Sequence, residues 1–146
     1  MKTIVPNLRV ADVAASVRFY EAVLGFSTVL ALPGEGGGLV HASVQRGDAC
    51  IMFGPLDSPW GTMSADGLGK GVVLYATLGD DEDVDALFAH ARDAGATVVQ
   101  EPTDQFWGNR DWGIADPDGY EIFVSKEVRQ VSGEEMHEAM VAGAAG

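Results

Sequence analysis

The chain reads the same way twice. Ile4 to Val10 is a short apolar-rich run that predicts a strand. Asp12 stands as a candidate N-cap, and Val13, Val17, Tyr20 and Leu24 then recur at helical spacing, with Phe19 and Val23 beside them. Gly25 falls where a helix end calls for positive φ. A strand over Phe26 to Leu32, a glycine-rich connection over 34–38, and a hairpin of Leu39–Gln45 with Ala49–Phe53 complete the pattern. The second half restarts it. Gly71 to Leu78 predicts a strand, Asp80 to Asp83 put negative charge at a helix start, and Val84, Leu87, Phe88 and Ala91 form an apolar stripe. Gly95 takes the place of Gly25, 70 positions on. A strand over Ala96–Gln100 follows, then a hairpin of Asp111–Ala115 with Tyr120–Ser125 across Asp116-Pro117-Asp118-Gly119. Self-similarity at this period marks a duplicated supersecondary unit. The expected fold class is α+β, with two tandem βαβββ modules over about residues 3–54 and 71–126 of a single domain at 1–126. The Gly-, Pro- and Ser-rich stretch 55–70 reads as a linker, and 127–146 as a tail that is partly helical or mobile.

A length of 146 residues fits one domain. The 22 acidic against 9 basic residues, a formal charge of −13, leave no basic footprint for nucleic acid. An anionic membrane surface would repel the chain, and no apolar run approaches the roughly 20 residues that span a bilayer. The summed field favours a cationic ligand, although the same acidity also serves solubility alone. Met1 to Pro6 do not read as a secretory signal, and the single cysteine, Cys50, fits a reducing compartment, so a cytoplasmic location is expected.

Specific motifs sharpen this reading. Leu8-Arg9-Val10-Ala11-Asp12, Ser16, Phe19-Tyr20 and Leu24-Gly25-Phe26 in the first half, with Asp116-Pro117-Asp118-Gly119-Tyr120-Glu121-Ile122-Phe123 in the second, resemble the vicinal oxygen chelate superfamily of glyoxalase I, extradiol dioxygenases and bleomycin resistance proteins. The resemblance covers roughly residues 3 to 126. It implies curved mixed sheets facing one another around a cavity and, in the enzymes, four His or Glu ligands to a divalent metal. Carried over position by position, those ligands fall on Val5, Met52, Val72 and Phe123. Valine and phenylalanine offer no lone pair, and a thioether suits hard or borderline divalent ions poorly. No metal and no cofactor are therefore expected. His41, His90 and His137 share no ligand-like spacing.

Strand alternation then proposes the lining. Asn7 and Arg9 accompany Val5, Cys50 and Gly54 accompany Met52, Leu74 and Ala76 accompany Val72, and Glu121 and Ser125 accompany Phe123. Phe106, Trp107, Arg110 and Trp112 crowd one loop and Trp60 lies in the linker. These rings can stack on a flat ligand or attract a cation. Equally, Trp107 and Trp112 can be core, and Arg110 can pin its loop to Asp111, Asp116 or Glu101. The Trp-Gly-x-Arg segment over Trp107 to Arg110, ahead of Asp-Pro-Asp-Gly, resembles the drug-sequestering, metal-free branch of the superfamily.

The expected function is non-catalytic binding of a small aromatic or cationic molecule, an antibiotic or a metabolite, by a homodimer. The candidate ligand contacts are Asn7, Arg9, Met52, Trp60, Phe106, Trp107, Arg110, Trp112, Glu121 and Phe123, and no catalytic residue is assigned. Two alternatives stand beside it. One is an enzyme of the same superfamily with an altered site, metal-dependent or metal-independent, a lyase or dioxygenase drawing on Glu121, Glu101 or Asp104 for acid–base work. The other is an accessory module whose tail, from Lys126 onward, contacts a partner.

Overall fold

The computed structural model describes residues 1–145. The first module runs β1 (Asn7–Val10), α1 (Val13–Leu24), β2 (Ser27–Pro33), β3 (Leu39–Arg46) and β4 (Ala49–Pro55). A small hairpin, β5 (Asp57–Ser58) and β6 (Gly61–Thr62), occupies the connection. The second module runs β7 (Val73–Thr77), α2 (Val84–Asp93), β8 (Thr97–Asp104), β9 (Asn109–Ala115) and β10 (Glu121–Glu127), and a tail helix α3 (Gly133–Ala145) follows. The sheet orders are β1-β4-β3-β2 and β7-β10-β9-β8. In each, the first strand lies parallel to the last and the other pairs are antiparallel. This is the α+β fold of two βαβββ modules. Among the described residues no helix is long and apolar enough to cross a membrane.

Local chemistry explains the helices. Asp12 accepts the Ala15 amide at 3.0 Å, and α1 stops at Gly25, whose φ of 68° an L side chain rarely adopts. Asp83 caps α2 by accepting the amides of Asp85 and Ala86. The apolar stripe of α1 buries Val13, Val17, Tyr20, Val23 and Leu24 with Leu8, Val10, Ala42, Val44, Ile51 and Phe53 of its sheet. In the second module, Val84, Phe88 and Ala91 join Trp112, Ile114, Ile122 and Val124.

The two helices touch one another, so both lie on one side of the paired sheets. Strand alternation sends the other set of side chains to the helix-free face. No hydrogen-bonded ladder crosses between the modules among the described residues. Side chains join them instead. The Tyr20 hydroxyl donates to Asp116 Oδ2 at 3.0 Å, Tyr120 donates to the Arg9 carbonyl at 2.8 Å, and Arg46 pairs with Glu82 at 2.7 Å.

Three strands differ most from the sequence expectation. β1 starts at Asn7 rather than Ile4, with the Pro6 carbonyl already accepting the Met52 amide. β8 continues through Pro102 to Asp104 instead of stopping at Gln100. It is an edge strand with one partner, its ladder is irregular between Val98 and Thr103, and a proline is tolerated there. β7 is displaced by one residue in its facing. Leu74 and Ala76 pack on the core, whereas Val73, Tyr75 and Thr77 point to the helix-free face opposite Glu121, Phe123 and Ser125.

Candidate functional site

The helix-free face carries the positions at which the resemblance expects metal ligands. Met52 sits on β4 opposite Asn7, and Phe123 on β10 opposite Tyr75. Val5 precedes β1, and Val72 precedes β7 and is exposed. The facing of β7 moves the third position to Val73 or Tyr75. No carboxylate or imidazole stands at any of the four, and Glu121 beside Phe123 is a single donor. Among the described residues no three His, Cys, Asp or Glu side chains converge on a point that could hold a metal ion. His90 Nε2 is taken up by the Ala22 carbonyl at 2.8 Å, and His137 is exposed on α3. The donor set does not fit the divalent ion of the superfamily's enzymes.

What the face offers instead is an aromatic surface with polar points. The Phe123 ring lies flat enough on β9 that a methyl added at Gly113 would come within 2.8 Å of it and 2.9 Å of Val99. Asn7 Oδ1 is buried without a hydrogen-bond partner, an acceptor facing this side of β1. Tyr75 donates its hydroxyl to Ser125 Oγ at 2.7 Å, and Asn109 donates to the same oxygen at 2.8 Å. Asp111, nearly fully buried, accepts from Gln100 and Gln105, each at 2.7 Å. Sequence reasoning missed Tyr75. The alternation of Val73, Tyr75 and Thr77 against the smaller or aliphatic Leu74, Ala76 and Leu78 was the available signal.

The remaining expected contacts scatter. Arg9 faces this side, but its guanidinium donates to the carbonyls of Pro55, Leu56 and Gly61 at 2.9–3.3 Å and so fastens the β5–β6 hairpin. Trp60, 75% exposed, projects from that hairpin's turn. Trp112 belongs to the core, not to a ligand surface. It is fully buried, its Nε1 donates to the Val84 carbonyl at 2.8 Å, and its ring meets Phe88 edge-on. Arg110 is corrected too: it lies on the helix side of β9, paired with Asp85 at 2.9 Å and Asp104 at 3.0 Å. The hydrogen bonds it donates to Asp104 and Asp85 raise its pKa above the ordinary guanidinium value. Its partners are neither Asp111, Asp116 nor Glu101. Trp107 lines a shallow pocket at the base of the tail together with Val131 and Met136, and Phe106 meets it edge-on at 4.9 Å. The Trp-Gly-x-Arg segment therefore does structural work here. Gly108 lies so close to Arg129 that an added methyl would sit 2.1 Å from its carbonyl oxygen.

The titratable groups at the seam between the modules are perturbed. Burial raises the Asp116 carboxyl above its ordinary range, offset in part by hydrogen bonds from the Tyr120 amide, the Tyr20 hydroxyl and the Asp118 amide. Burial and the Asp116 charge push the Tyr20 phenol up.

Comparison with known proteins agrees with this architecture. Residues 3–124 match the model of the Glyoxalase/Bleomycin resistance protein/Dioxygenase superfamily. The protein Mb0911c of Mycobacterium bovis is 34% identical over 139 residues, covering 92% of this chain and 90% of the relative. The crystal structure of TioX from Micromonospora sp. ML1 superposes with a TM-score of 0.68 at 24% identity, over 87% of this chain and 99% of that one. A glyoxalase-related enzyme from Fulvimarina pelagi gives a TM-score of 0.68 at 18% identity, over 86% of this chain and 88% of that one. The duplicated βαβββ fold, the motifs that build it and the family match together place this chain in the Glyoxalase/Bleomycin resistance protein/Dioxygenase superfamily.

Proposed function

We propose that this protein binds a small molecule on its helix-free face and does not transform it. The observation that carries the reading is the chemistry of the four metal-ligand positions, which here hold Val5, Met52, Val73 or Tyr75, and Phe123. A flat ligand stacks on Phe123, and Glu121 attracts its positive charge. Binding of this kind needs no base, nucleophile or Lewis acid. Two copies of the chain pair through the same face. Leu30 and Leu32 stand opposite Ser43 and His41 on it, and together with Val73, Tyr75 and Val99 they are 43–55% exposed. Monomers rarely leave such a patch open, and two-fold pairing covers it. The chain acts in the cytoplasm.

The test combines metal analysis with a ligand screen. Protein purified without chelator is expected to carry only substoichiometric metal, and a panel of flat aromatic cations to include one that raises its melting temperature. Phe123→Ala should weaken that ligand by about tenfold, on a stacking value of about 1–3 kcal/mol. Sedimentation should give a dimer. Stoichiometric nickel, zinc, iron or manganese accompanied by turnover of a hemithioacetal or catechol would overturn the reading in favour of an enzyme.

A further inference from the structure

The repeat places equivalent residues 71 positions apart: Val13 and Val84 open the helices, and Ile51 and Ile122 face them from β4 and β10. A duplicated fold should make the two ends of the seam between modules alike. They are not. At one end, Tyr120 turns inward onto the Arg9 carbonyl and Tyr20 reaches Asp116. The residue equivalent to Tyr120 is Ala49, and the one equivalent to Tyr20 is Ala91. With a methyl at Ala49 where the first end has the Tyr120 phenol, the other end keeps a crevice of about 740 Å³. Its apolar walls include Val5, Phe26, Ile51, Leu74, Ala76 and Leu87. Phe26 and Leu87 belong to the helix side and Val5, Tyr75 and Thr77 to the helix-free side, so the space runs through the seam between the modules.

The rim is charged. Arg46 is engaged by the Leu24 carbonyl and by Glu82. Asp48 and Asp81 also line the crevice, and among the described residues neither side chain accepts a hydrogen bond or forms an ion pair. Three carboxylates against one guanidinium leave the opening negative, and an apolar neck concentrates that field. The volume lies within the range of about 300–1,000 Å³ usual for small-molecule sites.

We propose that this crevice binds a small molecule carrying one positive charge, an amine or amidine, on an apolar body of one or two rings. Phe123 and Glu121, assigned above to a ligand on the helix-free face, do not line this crevice, so the proposal does not depend on that reading. Cys50 lines the crevice and is the chain's single cysteine, so its alkylation reports occupancy. The probe is 1-naphthylmethylamine, with 1-naphthoate as the control of like shape and opposite charge. The amine should slow iodoacetamide labelling of Cys50 and raise the melting temperature, and the naphthoate should do neither. Ala49→Tyr copies the plugged end and should abolish the protection without lowering the melting temperature. Asp48→Asn with Asp81→Asn keeps the shape and should weaken the amine about fivefold. The proposal is overturned if the amine leaves the Cys50 rate unchanged, if the naphthoate protects equally, or if the Asn pair binds the amine undiminished. Should Ala49→Tyr fail to fold, the Asn pair decides alone. Phe123→Ala should leave Cys50 protection intact, which separates failure here from failure on the other face.

Discussion

Replacing Trp112 by alanine separates a core residue from a ligand surface. A buried tryptophan removes about 150–250 Å² from water, which at about 25 cal/mol per Å² is worth about 4–6 kcal/mol. Alanine keeps a little of that, and the site relaxes in part, so the expected loss is about 3–5 kcal/mol. The indole N–H to the Val84 carbonyl adds about 1 kcal/mol, because the acceptor would be left in the interior. Against a typical total of about 5–15 kcal/mol, the variant should remain folded but fragile. Urea unfolding followed by circular dichroism is the assay. With a slope of about 2 kcal/mol per M, the midpoint should fall by about 2 M and the slope should hold. Trp112→Phe keeps the contact with Phe88 and should lose only about 1–2 kcal/mol, mainly through the orphaned carbonyl. A Trp112→Ala midpoint close to that of the parent chain, combined with weakened ligand binding, would refute the placement.

Other perturbations probe other parts of the molecule. Asp116 titrates higher folded than unfolded, so the folded state binds more protons between the two values, and its stability contribution is complete below about 3.9 and declines as pH rises through the folded value. Asp116→Asn should flatten that decline in a series of melting temperatures against pH, and parallel profiles would contradict it. Gly108→Ala combines a φ of 99° with a clash on the Arg129 carbonyl and should cost about 2 kcal/mol or more, read as a drop in melting temperature. Arg9→Ala frees the β5–β6 hairpin, so amide exchange should accelerate around Gly61 while the β10 amides stay protected.

The repeat, both helices and most strand pairs could be read from residues alone because the signals were local. Asp12 with Gly25 brackets α1, and Asp83 with its apolar stripe opens α2. The facing of β7 was not legible in that way. Val72, Val73 and Leu74 are all apolar, and such a run cannot say which side is buried until β10 fixes the register at Glu121↔Val73. Pro102 hid the second half of β8, since only its place at a sheet edge makes it acceptable. On the site, Phe123 and Met52 were found through the motifs. The roles of Trp112 and Arg110 turned on which face of β9 each occupies, and residues 106–112 carried too many aromatics and charges for alternation to decide. The seam crevice was beyond the sequence altogether, because it is a missing volume.

The absence of a ladder between the halves also shapes how the molecule assembles itself. Every strand closes its hydrogen bonds within its own half, over chain separations shorter than half the sequence, so neither half waits on the other to gain its sheet. Docking comes afterwards, through phenols, one guanidinium and the touching helices, and it is the step most easily undone by heat. In a pulse-labelling experiment the protein should consequently protect its amides in two bursts, one for each module, with the Tyr20 and Tyr120 hydroxyls engaged only at the end.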